Sequence, residues 1–205
     1  MCVMDGSDTY LGISSPSEGL YKEKGSRFMA FAYPVVSEEE VRPLIEKLRK
    51  EYHDARHYCY AYRIGRCGEK WRCSDDGEPS SSAGRPIYGQ ILSSGLSDIL
   101  IVVVRYFGGI KLGVPGLIRA YRTAAAEAIS CAVKVEKTAA ERLRVTFGYQ
   151  AMDKVMKALK EMGLTPSGME SGEECALEVS VRLALTGTFC GRMESAGASV
   201  TRDDR

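Results

Sequence analysis

Three carboxylates and a run of serines stand together in Ser74-Asp75-Asp76-Gly77-Glu78-Pro79-Ser80-Ser81-Ser82-Ala83-Gly84-Arg85-Pro86. Asp75, Asp76 and Glu78 could hold a hard cation through oxygen ligands. The serines could cap a helix, bind an anion or supply a nucleophile, and a nucleophile needs a base within reach. The chain has only two histidines, His53 and His57. His57 paired with a carboxylate of this loop is a candidate proton carrier, or simply a satisfied buried histidine. The chemistry implied is hydrolysis of a phosphoester or a peptide by His57, Asp75, Asp76 and Glu78. The alternative is a solvated turn built on Asp-Gly.

A second segment is basic: Arg105-Tyr106-Phe107-Gly108-Gly109-Ile110-Lys111-Leu112-Gly113-Val114-Pro115-Gly116. Here an apolar strand pattern runs into glycines and then into a helix. Glycine permits backbone angles and close approaches that side chains forbid. A helix N-terminus offers unpaired N–H groups to an anion. From Ile99 to Ala126 there are basic residues, Arg105, Lys111, Arg119 and Arg122, and no acidic one. The segment fits neither of the common phosphate-loop patterns, Gly-x-x-x-x-Gly-Lys-[Ser/Thr] or Gly-x-Gly-x-x-Gly. It reads equally as a tight turn that packs a helix on a sheet. Trp71 and tyrosines 58, 60, 62, 106 and 121 could stack on bases or serve as packing.

Composition narrows the setting. The 205 residues are 44% hydrophobic with a formal charge of +1, so a folded protein of one large or two small domains is expected. The charge divides as −1 from Glu141 onward and +2 before it, which excludes a generally polybasic binder and leaves room for a local patch. No run approaches the length of a membrane helix, and Met1 to Tyr10 lacks the basic and apolar regions of a signal peptide. The cysteines, Cys2, Cys59, Cys67, Cys73, Cys131, Cys175 and Cys190, are odd in number and irregular in spacing. Thiols in a reducing cytoplasm are expected, with no structural zinc, no other metal and no cofactor.

The elements that position these residues follow from periodicity. Met29, Phe31, Tyr33 and Val35 alternate as a strand, and Ser37 with Glu40 reads as a capping box opening a helix through Val41, Leu44, Ile45, Leu48 and Tyr52, which Pro43 either kinks or makes start late. Arg56–Ile64 reads as a strand, 65–89 as a long loop with at most a hairpin arm, Ile99–Phe107 as a strand buried on both faces, and Pro115–Cys131 as a helix. Ser7 to Ser17 is an edge strand or an arm. Beyond Lys137 the order β-α-β-β-α-β predicts a ferredoxin-like domain, with the helical row Met152, Val155, Met156, Leu159 and Met162 in its core. The fold class expected is α+β in two domains, 1–137 and 138–205.

Taken in order, the motifs resemble those of the YigZ/IMPACT family. They are Glu18-Gly19-Leu20-Tyr21-Lys22-Glu23-Lys24-Gly25-Ser26-Arg27-Phe28, then Asp54-Ala55-Arg56-His57-Tyr58-Cys59-Tyr60-Ala61, then the Ser74–Pro86 segment, then Val103-Val104 through Gly113 and on to Tyr121. Val114-Pro115 departs from the family, which usually has a small residue and glycine there. The resemblance implies an N-terminal sheet-and-helix domain like those of ribosomal proteins and RNase PH, and a C-terminal domain similar to the last domain of elongation factor G. It does not extend to the additional protein-binding domain of eukaryotic IMPACT proteins, which regulate translation under amino-acid starvation. It supplies no settled catalytic residue.

The function expected is that of a translation-associated regulatory protein that binds RNA or the ribosome and is more readily a binder than an enzyme. Its phosphate-backbone footprint is Lys22, Lys24, Arg27, Arg56, Arg105, Gly108, Gly109, Lys111, Gly113, Gly116, Arg119 and Arg122. A protein partner docking on the C-terminal domain is a third reading, which an exposed apolar patch there would favour.

Overall fold

A computed structural model describes residues 8–172 and 174–202. Cys2 and Ser7, named above, lie outside the described residues. The chain divides into two compact units: one spans Tyr10–Lys137, and the other takes the residues from Thr138 onward together with Asp8 and Thr9. Both units combine a sheet with helices, so the fold is α+β.

The first unit is built on a five-stranded antiparallel sheet. Its strands are β2 (Ser17–Glu23), β3 (Ser26–Pro34), β4 (His57–Ile64), β5 (Lys70–Ser74) and β6 (Ile99–Tyr106). A short β1 (Thr9–Ile13) pairs separately with β7 (Lys134–Thr138). The five strands lie in the order β2-β3-β6-β4-β5. The apolar run of β6 becomes the centre strand, buried on both faces as its composition requires.

The two faces of this sheet differ in side-chain size. One carries Phe28, Ala30, Ala32, Cys59 and Ala61. Against these small residues lie two helices, α2 (Gly84–Ser93) and α3 (Gly113–Cys131), with Ala120, Ala124, Ala125 and Ala128 of α3 buried. Small residues on both sides let helix and sheet approach closely. At Gly19 the approach is tightest: a Cβ there would overlap the backbone of α3 at Ala128. The opposite face carries Phe31, Tyr58, Tyr62, Leu100, Val102 and Val104 beneath a single helix, α1 (Val41–Glu51).

Glu38–Glu40 form a 3-10 turn, so α1 starts late, one of the two outcomes Pro43 implied, and Pro43 falls in its first turn, where a missing N–H costs little. Two details depart from the sequence reading. Ser37 makes no side-chain capping bond; instead Glu40 accepts the N–H of Val36 at 3.1 Å. The stretch read as a loop contains both β5 and the start of α2. Its sequence, Gly-Arg-Pro-Ile-Tyr-Gly, is poor in helix formers. The helix is held by Asp75, whose Oδ1 accepts the N–H groups of Ala83 and Gly84 at 2.9 and 2.8 Å, and by burial of Ile87 and Ile91.

The entry to β6 is fixed by a buried carboxylate. Asp98 accepts hydrogen bonds from Tyr10 Oη (2.6 Å), Lys137 Nζ (3.0 Å) and the Gly65 N–H (2.9 Å), and so joins both strands of the β1–β7 pair to the sheet. It holds the left-handed region at φ 53°, which aspartate tolerates. Asp98→Ala should cost about 2 kcal/mol by leaving these donors unpaired. Urea denaturation measures this; an unchanged midpoint would mean that water replaces the carboxylate at no cost.

The second unit has strands β8 (Ala140–Phe147), β9 (Ser167–Glu170), β10 (Cys175–Arg182) and β11 (Ala198–Arg202), and helices α4 (Met152–Glu161) and α5 (Thr186–Ser195). The sheet is antiparallel in the order β11-β8-β10-β9. With the helices this is the β-α-β-β-α-β succession expected above. Leu143, Val145, Phe147, Leu177, Val179 and Val181 meet Val155, Leu159, Phe189 and Met193 of the helices, while Met156 is exposed. The alternate residues of the central strands, including Arg142, Arg144, Thr146, Glu178 and Ser180, are half-buried or exposed and polar. That sheet face is polar over its two central strands.

Candidate functional site

The acidic loop folds back on β4 and β6, and each carboxylate has partners. Asp75 caps α2 as described, and its Oδ2 accepts the Ser81 N–H at 2.8 Å. Asp76 accepts the Tyr58 N–H at 2.7 Å and pairs with Arg49 at 2.7 Å. Glu78 is deepest, its side chain 4% exposed, and it accepts both Arg105 (2.6 Å) and Tyr121 Oη (2.8 Å). These carboxylates point to three different sets of donors. Among the described residues no group of three or more His, Cys, Asp or Glu is placed to hold a metal ion.

His57 lies beside this loop, but its ring meets a backbone carbonyl there, where the sequence reading pairs it with a carboxylate. Its Nδ1 is 2.9 Å from the carbonyl of Asp76, and it sits opposite Arg105 across the sheet. With Nδ1–H donating to that carbonyl, Nε2 is left unprotonated in the neutral ring. Asp75, Asp76 and Glu78 are occupied in holding the loop and α2. Next to them Cys59 donates to the carbonyl of Asp75 at 3.0 Å and lies 3.3 Å from Tyr121 Oη. Burial raises the Cys59 thiol and the Tyr121 phenol well above their ordinary ranges, so both stay protonated. Cys59, Cys73, Cys131, Cys175 and Cys190 carry thiols rather than disulfides.

The basic residues separate into three groups. Lys22 and Arg27 are cross-strand neighbours on the β2–β3 hairpin, and Lys24 follows in its turn. That turn touches the loop after β6. Gly108 N–H donates to Ser26 Oγ at 3.1 Å, and a Cβ on Gly108 would overlap the backbone of Gly25 and Ser26. Lys111 lies on this loop and Arg56 immediately precedes β4, whose first residue pairs with Arg105. Lys22, Lys24, Arg27, Arg56 and Lys111 are thus exposed at one end of the sheet. Arg27 lies over the Tyr106 ring at 4.9 Å, and Tyr106 donates to Asp54 at 2.6 Å. That bond, together with burial, pushes the Tyr106 phenol up to about 12.

Arg105 stands apart, 7% exposed and paired with Glu78. Arg119 is exposed and pairs with Glu23. Arg122 is exposed on α3 and lines a groove between α2 and α3. The glycines have separate tasks. Gly109 and Gly113 take positive φ (87° and 69°), while a Cβ on Gly116 would sit 2.9 Å from Leu112 Cβ. Of the aromatic candidates, Tyr58, Tyr62 and Tyr121 are buried, Tyr60 and Tyr106 half-buried, and Trp71 is exposed. The footprint read from the sequence omits Arg85, because that residue lay in a stretch read as loop. Burial of Pro86, Ile87 and Ile91 in the fold places it on α2, which no local sequence pattern signals.

This arrangement of sheet, acidic loop and glycine turn belongs to the Impact N-terminal domain, whose family model matches residues 24–129. The chain belongs to the IMPACT family. It is 32% identical over 181 residues to the IMPACT family member YvyE of Bacillus subtilis, covering 88% of this chain and 83% of that protein. It is 50% identical over 109 residues to an IMPACT family member of Thermus thermophilus and 38% identical over 116 residues to YigZ of Escherichia coli. Those alignments cover 53% and 56% of this chain and span 58% and 57% of the relatives' lengths. Over 97% of its length the chain superposes on the crystal structure of a hypothetical protein, with TM-score 0.77, 26% identity and 98% of that chain covered. No helix among the described residues is long and apolar enough to cross a membrane.

Proposed function

We propose that this protein binds RNA, alone or within the ribosome, and regulates translation from the cytoplasm. The observation that carries the reading is the convergence of Lys22, Lys24, Arg27, Arg56 and Lys111 from three separate segments at one end of the sheet. Chain segments distant in sequence bring like charges together there, and a polyanion relieves the repulsion. The units support it by kind. We read residues 1–137 as a domain similar to those of ribosomal proteins and RNase PH. We read residues 138–205 as a ferredoxin-like domain similar to the last domain of elongation factor G, on its strand order. The hydrolase reading has less support, because Asp75, Asp76 and Glu78 are each engaged in holding the loop.

The test is a salt titration of the protein against ribosomal subunits and a short structured RNA, beside a Lys22→Ala, Lys24→Ala, Lys111→Ala variant. Affinity should fall steeply between about 50 and 200 mM salt, and the variant should lose about 2 units of the log–log slope. Binding that stays flat across that range sinks the reading.

A further inference from the structure

We infer that the groove between α2 and α3, with the aromatic pair on the other flank of α2, is a site for single-stranded RNA. Phosphates would lie in the groove, the strand would cross α2 at Gly89, and a base would stack on Trp71. The inference rests on the RNA-binding reading above and assigns it a surface outside the basic end of the sheet.

The groove has a volume of about 450 Å³ and is lined by Ser81, Arg85, Gln90, Ile118 and Arg122, with no carboxylate among its lining residues. Arg85 and Arg122 come from different helices, are both exposed, and make no ion pair among the described residues. From Pro79 to Ala126 the chain has one acidic residue, Asp98, which is buried beneath Tyr10 and Lys137. Two guanidinium groups therefore share one groove with no ion-pair partner among the described residues. Planar forks of this kind suit phosphate oxygens.

The second observation lies across the helix. Trp71 is 53% exposed although its ring is held flat against Tyr88, with centroids 4.8 Å apart and planes 21° from parallel. A large ring fixed in place with an open side is a stacking platform, and stacking needs a base freed from a duplex. Arg85, Tyr88 and Gly89 share a side of α2 by helical spacing.

Gly89 is the third. It lies inside α2, where glycine weakens a helix. Its exposed position has no atom within 4 Å of a built Cβ and its φ is ordinary, so neither packing nor backbone geometry requires glycine. What its missing side chain provides is a saddle in the ridge between the arginine groove and the aromatic stack.

The test measures fluorescence anisotropy of a labelled oligouridylate with the intact protein. Gly89→Gln should raise Tm by about 2 °C and yet weaken binding about tenfold. Trp71→Ala should weaken it about tenfold. Arg85→Gln with Arg122→Gln should reduce the salt slope by about 1.5. A duplex of the same length should bind less tightly than the single strand. If the wild type binds RNA with steep salt dependence while Gly89→Gln and the arginine pair bind as tightly as wild type, this site is wrong and the basic end of the sheet stands. If the wild type binds no RNA, both readings fall. A polyglutamate peptide that displaces the oligomer at equal concentration would overturn the assignment to nucleic acid.

Discussion

Glu78→Gln is expected to lower Tm by about 10 °C, from a loss of about 3–5 kcal/mol. Glutamine keeps the volume and still accepts from Tyr121, but it removes the charge that answers Arg105. The side chains of Arg105 and Glu78 are 8% and 4% exposed, so water does not replace the lost partner. The guanidinium lies 5.4 and 5.6 Å from the ring centres of Phe28 and Phe107, which offer only cation–π contact, and its Nε has no hydrogen-bond partner among the described residues. Arg105→Met should cost a similar amount by stranding the Glu78 carboxylate. The double variant Glu78→Leu, Arg105→Met should be less damaged than either single one, because the desolvation of both ions is removed together. Urea denaturation at neutral pH gives all three values. A loss below about 1 kcal/mol for Glu78→Gln would show that solvent reaches the pair.

Gly108→Ala is the second large effect, expected to cost about 3 kcal/mol. The added methyl would overlap the backbone of Gly25 and Ser26, and a backbone cannot rotate aside as a side-chain tip does. Relief requires the β2–β3 turn to part from the loop after β6, with loss of the Gly108 N–H to Ser26 Oγ bond. The same movement would pull Lys24 from Lys111, so RNA affinity should fall with stability. Gly109→Ala, at φ 87° but in open space, should cost about 1 kcal/mol through backbone strain alone. Equal losses for the two variants would refute the packing argument.

These two sites show how unevenly the sequence discloses its fold. β6 was legible because a strand buried on both faces leaves an unbroken apolar run. The second unit was legible because Val155 and Leu159 keep helical spacing and Leu143, Val145 and Phe147 keep alternation. α2 was not, since a helix opened by Gly-Arg-Pro and interrupted by Gly89 depends on Asp75 and on burial of Ile87 and Ile91, which no local pattern records. At the site, residue types drew His57 to the acidic loop but paired it with a carboxylate, where the ring meets the Asp76 carbonyl instead. The use of the three carboxylates was not: a carboxylate that caps a helix and one that performs catalysis look alike until their partners are known. The exposed lysines were identified as a group, but Arg105 came with them because nothing in a basic motif says which side chain turns inward.

The carboxylate of Asp8 accepts both Nε and an Nη of Arg182 at 3.0 Å, and the Ala139 N–H donates to the Asp8 carbonyl at 2.6 Å. Asp8 thus belongs with strands made more than a hundred residues later, whereas Tyr10–Lys137 finds all its strand partners within itself. During synthesis the first unit can close as soon as β7 has left the ribosomal tunnel. Asp8, translated before any of it, must wait without its arginine until β10 is complete. A nascent chain halted once β7 has left the tunnel, before β10 is made, should already protect the amides of β6 from exchange, while Asp8 still lacks its arginine.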